Sequence, residues 1–213
     1  MKKNTKLITL VAVLSAFAYV IMVVGRIPVI QFLKYDPKDV IIVIGGFILG
    51  PLQGAIISIC VSVAEMITVS TTGLYGLVMN IVSTCAFVCV AAYVYKKNRT
   101  LKGAVIGLSL GTVSVVSCML LWNYMIAPIY MGIDRNDIVP LLWSMFLPFN
   151  LFKAMVNMAL TLLLYKPIVV AMRKTHLIAP KTEKGRFNFG VILLTVFILV
   201  MSLLLYLTMN GKI

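Results

Sequence analysis

LKGAVIGLSLGTVSVVSCMLLWNYMIA, residues 101–127, holds one charged side chain, Lys102, in 27 positions. Coiled as an α-helix at about 1.5 Å per residue it reaches about 40 Å, more than the roughly 30 Å hydrocarbon core of a bilayer. The same character recurs along the chain. Apolar runs cover about residues 7–24, 38–50, 51–69, 76–95, 141–171 and 189–209, so six or seven segments approach the roughly 20 residues that a crossing needs. The run 38–50 is the shortest, and it meets the next at Gly50-Pro51, where Gly suits a helix end and Pro a helix start. The expected fold class is all-α, a polytopic membrane helix bundle.

Composition supports this reading. Of 213 residues, 62% are apolar and 12% charged, against about 45–50% and about 25% in soluble domains. A soluble globular protein is excluded. The net charge of +13, from 19 Lys+Arg and 6 Asp+Glu, would suggest a nucleic-acid binder on a soluble domain. Here the basic residues cluster between apolar runs and act as a topology signal, so no nucleic-acid partner is expected. Thirteen of them fall in segments 2–6, 96–102 and 166–186, against five, Arg26, Lys34, Lys38, Arg135 and Lys212, on the opposite side. That bias places the N-terminus in the cytoplasm and, with seven crossings, the C-terminus outside. The run from Leu7 to Val24 is too long for a signal h-region and lacks an A-x-A-like cleavage site, so it is expected to be a retained first helix. Cys60, Cys85, Cys89 and Cys118 lie within apolar runs, with no C-x-x-C pair. They read as small packing residues, and no metal site is expected.

Polar residues inside the runs are few: Glu65, Asn80, Asn123, Asn150, Lys153 and Asn157. A charge at a helix centre costs about 3 kcal/mol or more, so these are candidates for function. Asn150, Lys153 and Asn157 stand at i, i+3 and i+7, on one helix face. Lys153 either serves that face or snorkels to a head group or a carbonyl. Asn123 and Tyr124 come late in an outward run that stops at Pro128, and Asn150 and Lys153 come early in a returning one. The four share a depth from which a pocket can open outward. Nearby aromatics, Trp122, Tyr130, Trp143 and Phe149 among them, either wall a planar ligand or form an interfacial belt. The outer connections hold Asp36, Asp39, Asp134 and Asp137, and fold as a lid or stay solvated.

Enzyme chemistry is not expected, because there is one histidine, His176, no H-E-x-x-H, no Walker A loop and no intramembrane carboxylate pair. A coupled carrier would have to use Glu65. Gly46, Gly50 and Gly54, and Gly103, Gly107 and Gly111, stand at four-residue spacing and allow helices to approach closely. Ala12 and Ala16 form a small-residue stripe on the first helix, which can serve as a docking face for another protein.

Three segments taken together resemble a known family: Tyr35-Asp36-Pro37-Lys38-Asp39 leading to Gly50-Pro51-Leu52, then Asn123-Tyr124 with Pro128 and Tyr130, then Pro148-Phe149-Asn150-Leu151-Phe152-Lys153. Over about residues 5–172 the chain is similar to the riboflavin-specific substrate-binding (S) components of energy-coupling factor (ECF) transporters. The resemblance implies a six-helix bundle in a bacterial plasma membrane that captures riboflavin from outside and has no transport power alone. Its implied partners are a membrane coupling (T) protein and two cytoplasmic ATPases, with no cofactor apart from riboflavin as the transported substrate. It implies that Asn123, Asn150 and Lys153 contact the ribityl chain, that Tyr35 joins the site, that loops one and five gate it, and that Ala12 and Ala16 dock the coupling protein. Tyr124 is grouped with the site as the neighbour of Asn123.

The expected division is a substrate-binding domain over 1–172, a basic cytoplasmic linker over 173–188 and an additional C-terminal transmembrane helix within 189–213. That last helix has no counterpart in the six-helix pattern, and Glu65 replaces polar residues expected in the third run. An S component for another vitamin, a stand-alone secondary carrier and an assembly protein without a small ligand are the alternatives.

Overall fold

The structure, a computed structural model, describes residues 2–30, 33–174 and 189–211. Helix α1 (Lys2–Gly25) leads into a hairpin of β1 (Ile27–Ile30) and β2 (Leu33–Tyr35), followed by α2 (Lys38–Leu49), α3 (Pro51–Thr68), α4 (Gly73–Lys97) and α5 (Leu101–Met131). Next come α6 (Arg135–Leu141), a π turn (Leu142–Phe146), α7 (Leu147–Lys174) and α8 (Phe189–Met209). The hairpin is antiparallel, with Ile27 opposite Tyr35, Pro28 opposite Lys34 and Ile30 opposite Leu33. Six spans among the described residues are long and apolar enough to cross a membrane: Asn4–Gly25, Pro51–Thr68, Gly73–Lys97, Leu101–Met131, Arg135–Ile168 and Ile192–Met209. Most of the expected 173–188 linker, His176 included, lies outside the described residues.

Helix α2 corrects the expected second crossing. Its 12 residues extend only about 18 Å, too short to cross a bilayer alone. It is instead the buried axis of the bundle, with every residue from Lys38 to Phe47 withdrawn from the surface. Gly50 ends it at φ 112°, ψ 166°, a conformation open essentially to Gly alone. Pro51 then opens α3 with a φ already suited to a helix. The seventh run behaves differently from α2, since α8 is of spanning length and packs along α7.

The glycine stripes bring helices together as their spacing requires. A Cβ on Gly54 would sit 2.7 Å from Val88 and 3.3 Å from the Cα of Gly46, and one on Gly111 would sit 2.7 Å from the carbonyl oxygen of Phe87. Gly111→Ala therefore has to push α4 from α5 against backbone, and is expected to cost about 1–3 kcal/mol. Thermal denaturation in detergent checks this, and an unchanged midpoint would show that the two helices separate freely.

The returning helix does not begin near Leu141 as expected but at Arg135, with α6 and the π turn preceding α7. Pro140 and Pro148 flank that turn. Neither donates an N–H, so the α-helical ladder is interrupted on both sides. Outside the core, large apolar side chains such as Val24, Ile67, Leu74 and Trp143 are exposed, as suits a surface solvated by lipid.

Candidate substrate-binding site

Beneath the hairpin the bundle encloses a polar cluster in which charged side chains from distant parts of the chain meet. Lys38 and Asp39 are 0% and 2% exposed, although the sequence places both in an outer connection. Lys38, one of the five basic residues that the sequence places on the outer side, is buried against the Glu65 carboxylate, which also accepts from Arg26. Asn80 Nδ2 donates to Glu65 Oε2 at 2.9 Å. Asp36 lies 3.9 Å from Arg26 and 3.8 Å from Lys38. One carboxylate on α3 thereby fastens both ends of the hairpin, since Arg26 precedes β1 and Lys38 follows β2.

A second group surrounds Asp39. Thr84 Oγ1 donates to Asp39 Oδ1 at 2.7 Å, Asn157 Nδ2 donates to Oδ2 at 3.3 Å, and Lys153 Nζ lies 3.4 Å from Oδ2. Tyr35 donates its hydroxyl to Asn157 Oδ1 at 3.0 Å. Lys153 therefore does not snorkel to a head group, and a carboxylate holds it inside. Burial, then the carboxylates of Asp39 and Asp36, push the Tyr35 phenol far above its ordinary range, so it remains an O–H donor at physiological pH. The two groups together contain three cations, Arg26, Lys38 and Lys153, and three carboxylates, Asp36, Asp39 and Glu65. Pairing of this kind is what makes buried charge tolerable.

Asn123 on α5 and Asn150 on α7 are also buried, 2% and 5% exposed, on helices that pack against each other. Asn150 Nδ2 donates to the carbonyl of Phe146 at 2.7 Å, where the π turn gives way to α7. Irregular turns of this type are frequent at functional sites. Asn123 Nδ2 donates to the Met119 carbonyl at 2.7 Å, and its oxygen accepts from the Tyr130 hydroxyl at 3.3 Å. The structure thus joins Tyr35 to Lys153 through Asn157 and Asp39, and buries Asn123 and Asn150 on adjoining helices. It does not bring Tyr124 in: that ring is 39% exposed and lies under the Arg135 guanidinium at 5.3 Å. One step along α5 from buried Asn123 turns the side chain by about 100°, out of the bundle.

Sequence reasoning missed Arg26, Lys38, Asp39 and Thr84 as members of the cluster. One signal was available. Glu65 within an apolar run needs a cation, and the basic residues flanking the first outer connection are close candidates.

An apolar helical bundle with a charge-balanced polar interior, capped on one side by a hairpin, defines a membrane-embedded binding component. The chain belongs to the ECF transporter substrate-specific component family, whose profile matches residues 6–165. It is therefore a transporter component and not an enzyme. It is 28% identical over 177 residues to riboflavin transporter RibU of Streptococcus thermophilus, covering 78% of this chain and 83% of the relative. Over 190 residues it is 28% identical to riboflavin transporter FmnP of Bacillus subtilis, covering 82% and 99%. Among solved structures it is similar to that of the S component of a bacterial ECF transporter, with a TM-score of 0.67 at 26% identity, over 80% of this chain and 99% of that one.

Proposed function

We propose that this chain captures riboflavin from outside a bacterial plasma membrane and delivers it inward with a membrane coupling protein and two cytoplasmic ATPases. Its N-terminus is cytoplasmic in this reading. The observation that carries the proposal is the set of buried Tyr35, Asn123 and Asn150 with the half-buried Lys153, in which Asn157 links Tyr35 to the Asp39 that faces Lys153. Riboflavin is uncharged and combines a flat apolar ring system with a chain of hydroxyls. A cluster whose own charges balance suits such hydroxyls, and Phe149 and Phe152 on α7 supply apolar surface beside it. Relatives named riboflavin transporters support the same ligand.

The stand-alone carrier is disfavoured on one observation. Glu65, the carboxylate it would need for coupling, is already engaged by Arg26 and Lys38. Ala12 and Ala16 are exposed on α1 while Leu10, Leu14, Ala18 and Met22 on the same helix are buried. This leaves the alanines free to meet a coupling protein within the membrane. Residues 1–172 then form the substrate domain, and 189–213 form an added helix.

Titrating the detergent-purified protein with riboflavin tests the ligand. Saturable quenching of flavin fluorescence at one ligand per chain is expected, and a folded protein that quenches nothing would send the assignment to other vitamins. Asn150→Ala is expected to weaken binding at least about tenfold, or about 1.4 kcal/mol, because ligand hydroxyls lose a buried partner. Unchanged affinity would remove Asn150 from the site.

A further inference from the structure

Helix α8 lies beyond the family match, which ends at residue 165. Even so, it is not a loose anchor. Thr195, Ile198 and Ser202 are buried on one face, while Leu193, Phe197, Val200 and Leu204 are exposed on the other. The buried face follows α7 and ends at Tyr206 and Met209.

The C-terminal end of α8 reaches the proposed binding site. The Tyr206 ring is 5.9 Å from that of Phe152, and Phe152 meets Tyr35 edge-on at 6.0 Å. Tyr35 in turn holds Asn157, which holds Asp39. Tyr206 and Met209 pack into the small apolar cluster formed by Val29 and Tyr35 of the hairpin and Phe149 of α7, with Ile30 and Leu33 beside them. The end of an added helix therefore abuts both the hairpin and the helix that bears Asn150 and Lys153.

We propose that Tyr206, assisted by Met209, is a positioning residue for the substrate site: through Phe152 and Tyr35 it holds the hairpin against α7 and slows ligand escape. Aromatic packing supplies the hold, since edge and offset ring contacts add to simple burial. Removing it favours the open hairpin without altering any group that touches the ligand. The effect belongs in dissociation more than in association.

The ligand part of this inference rests on the riboflavin reading, so the test has two readouts on the full chain. One is the riboflavin dissociation rate by stopped-flow fluorescence. The other, made without ligand, is the rate of trypsin cleavage after Lys34, which is exposed in the hairpin, followed by mass spectrometry. Tyr206→Ala is expected to speed dissociation about tenfold with little change in association, and to speed cleavage. Tyr206→Phe restores both rates, and Phe197→Ala, on the exposed face, changes neither. Met209→Ala moves both rates in the same direction by less, and serves if Tyr206→Ala does not fold. Wild-type rates in Tyr206→Ala and Met209→Ala, or an equal effect from Phe197→Ala, would overturn the proposal. If the wild type binds no riboflavin, the ligand assignment fails and the cleavage rates alone decide the role of Tyr206.

Discussion

Asp39→Ala is expected to lower stability by about 3–5 kcal/mol and to abolish riboflavin binding, the largest effect of any single substitution in this chain. The carboxylate accepts from Thr84 and Asn157 and faces Lys153. Its removal takes from the Lys153 ammonium the carboxylate it pairs with inside the bundle, and it frees Asn157 from one of its two partners. The double variant Asp39→Ala, Lys153→Met removes both charges and is expected to recover most of the lost stability. Binding should stay lost, because Lys153 belongs to the proposed site. Thermal unfolding in detergent across the two single variants and the double one gives the coupling directly. A single variant that melts with the wild type would show that water, not Asp39, compensates Lys153.

Replacing Ala12 and Ala16 together by leucine is expected to abolish ATP-driven uptake while leaving riboflavin affinity within about twofold. Both alanines are on the exposed face of α1, away from the polar cluster, so the change adds bulk where a partner helix approaches and removes nothing from the site. Uptake by proteoliposomes holding the complete transporter, set beside ligand titration of the purified component, separates the two effects. Normal uptake would take the docking role from this face. Lost affinity would mean that α1 shapes the site after all.

These two experiments probe opposite sides of α1. Its inner face packs against α2 and α3, which carry Lys38, Asp39 and Glu65, so the proposed docking helix and the charged cluster share a wall. Motion of one relative to the other would have to slide past the Met22 side chain, which is fully buried and approaches Lys38 Nζ at 3.9 Å.

The membrane bundle was legible because hydropathy is a local property: residues 101–127 read as a span whatever lies around them. The polar face of α7 was legible for the same reason, since Asn150, Lys153 and Asn157 are spaced by helical geometry alone. Tyr124, grouped with the site by proximity in sequence to Asn123, lies exposed and apart from the polar cluster, because a single residue step turns a side chain out of the bundle. Helix α2 was misread as a crossing because apolar composition marks burial and does not distinguish burial in lipid from burial in protein.

By itself, then, the sequence determined the apolar helices, the close approaches at its glycines and the amide and ammonium on α7. The tertiary structure decided which polar groups meet: Tyr35 with Asn157 across 122 positions, Asn157 with Asp39 across 118, and Arg26 with Glu65 across 39. No local pattern encodes such pairs. A charge in an outer connection can remain in water or enter the bundle, and it enters only where a partner from another helix offsets the loss of its hydration.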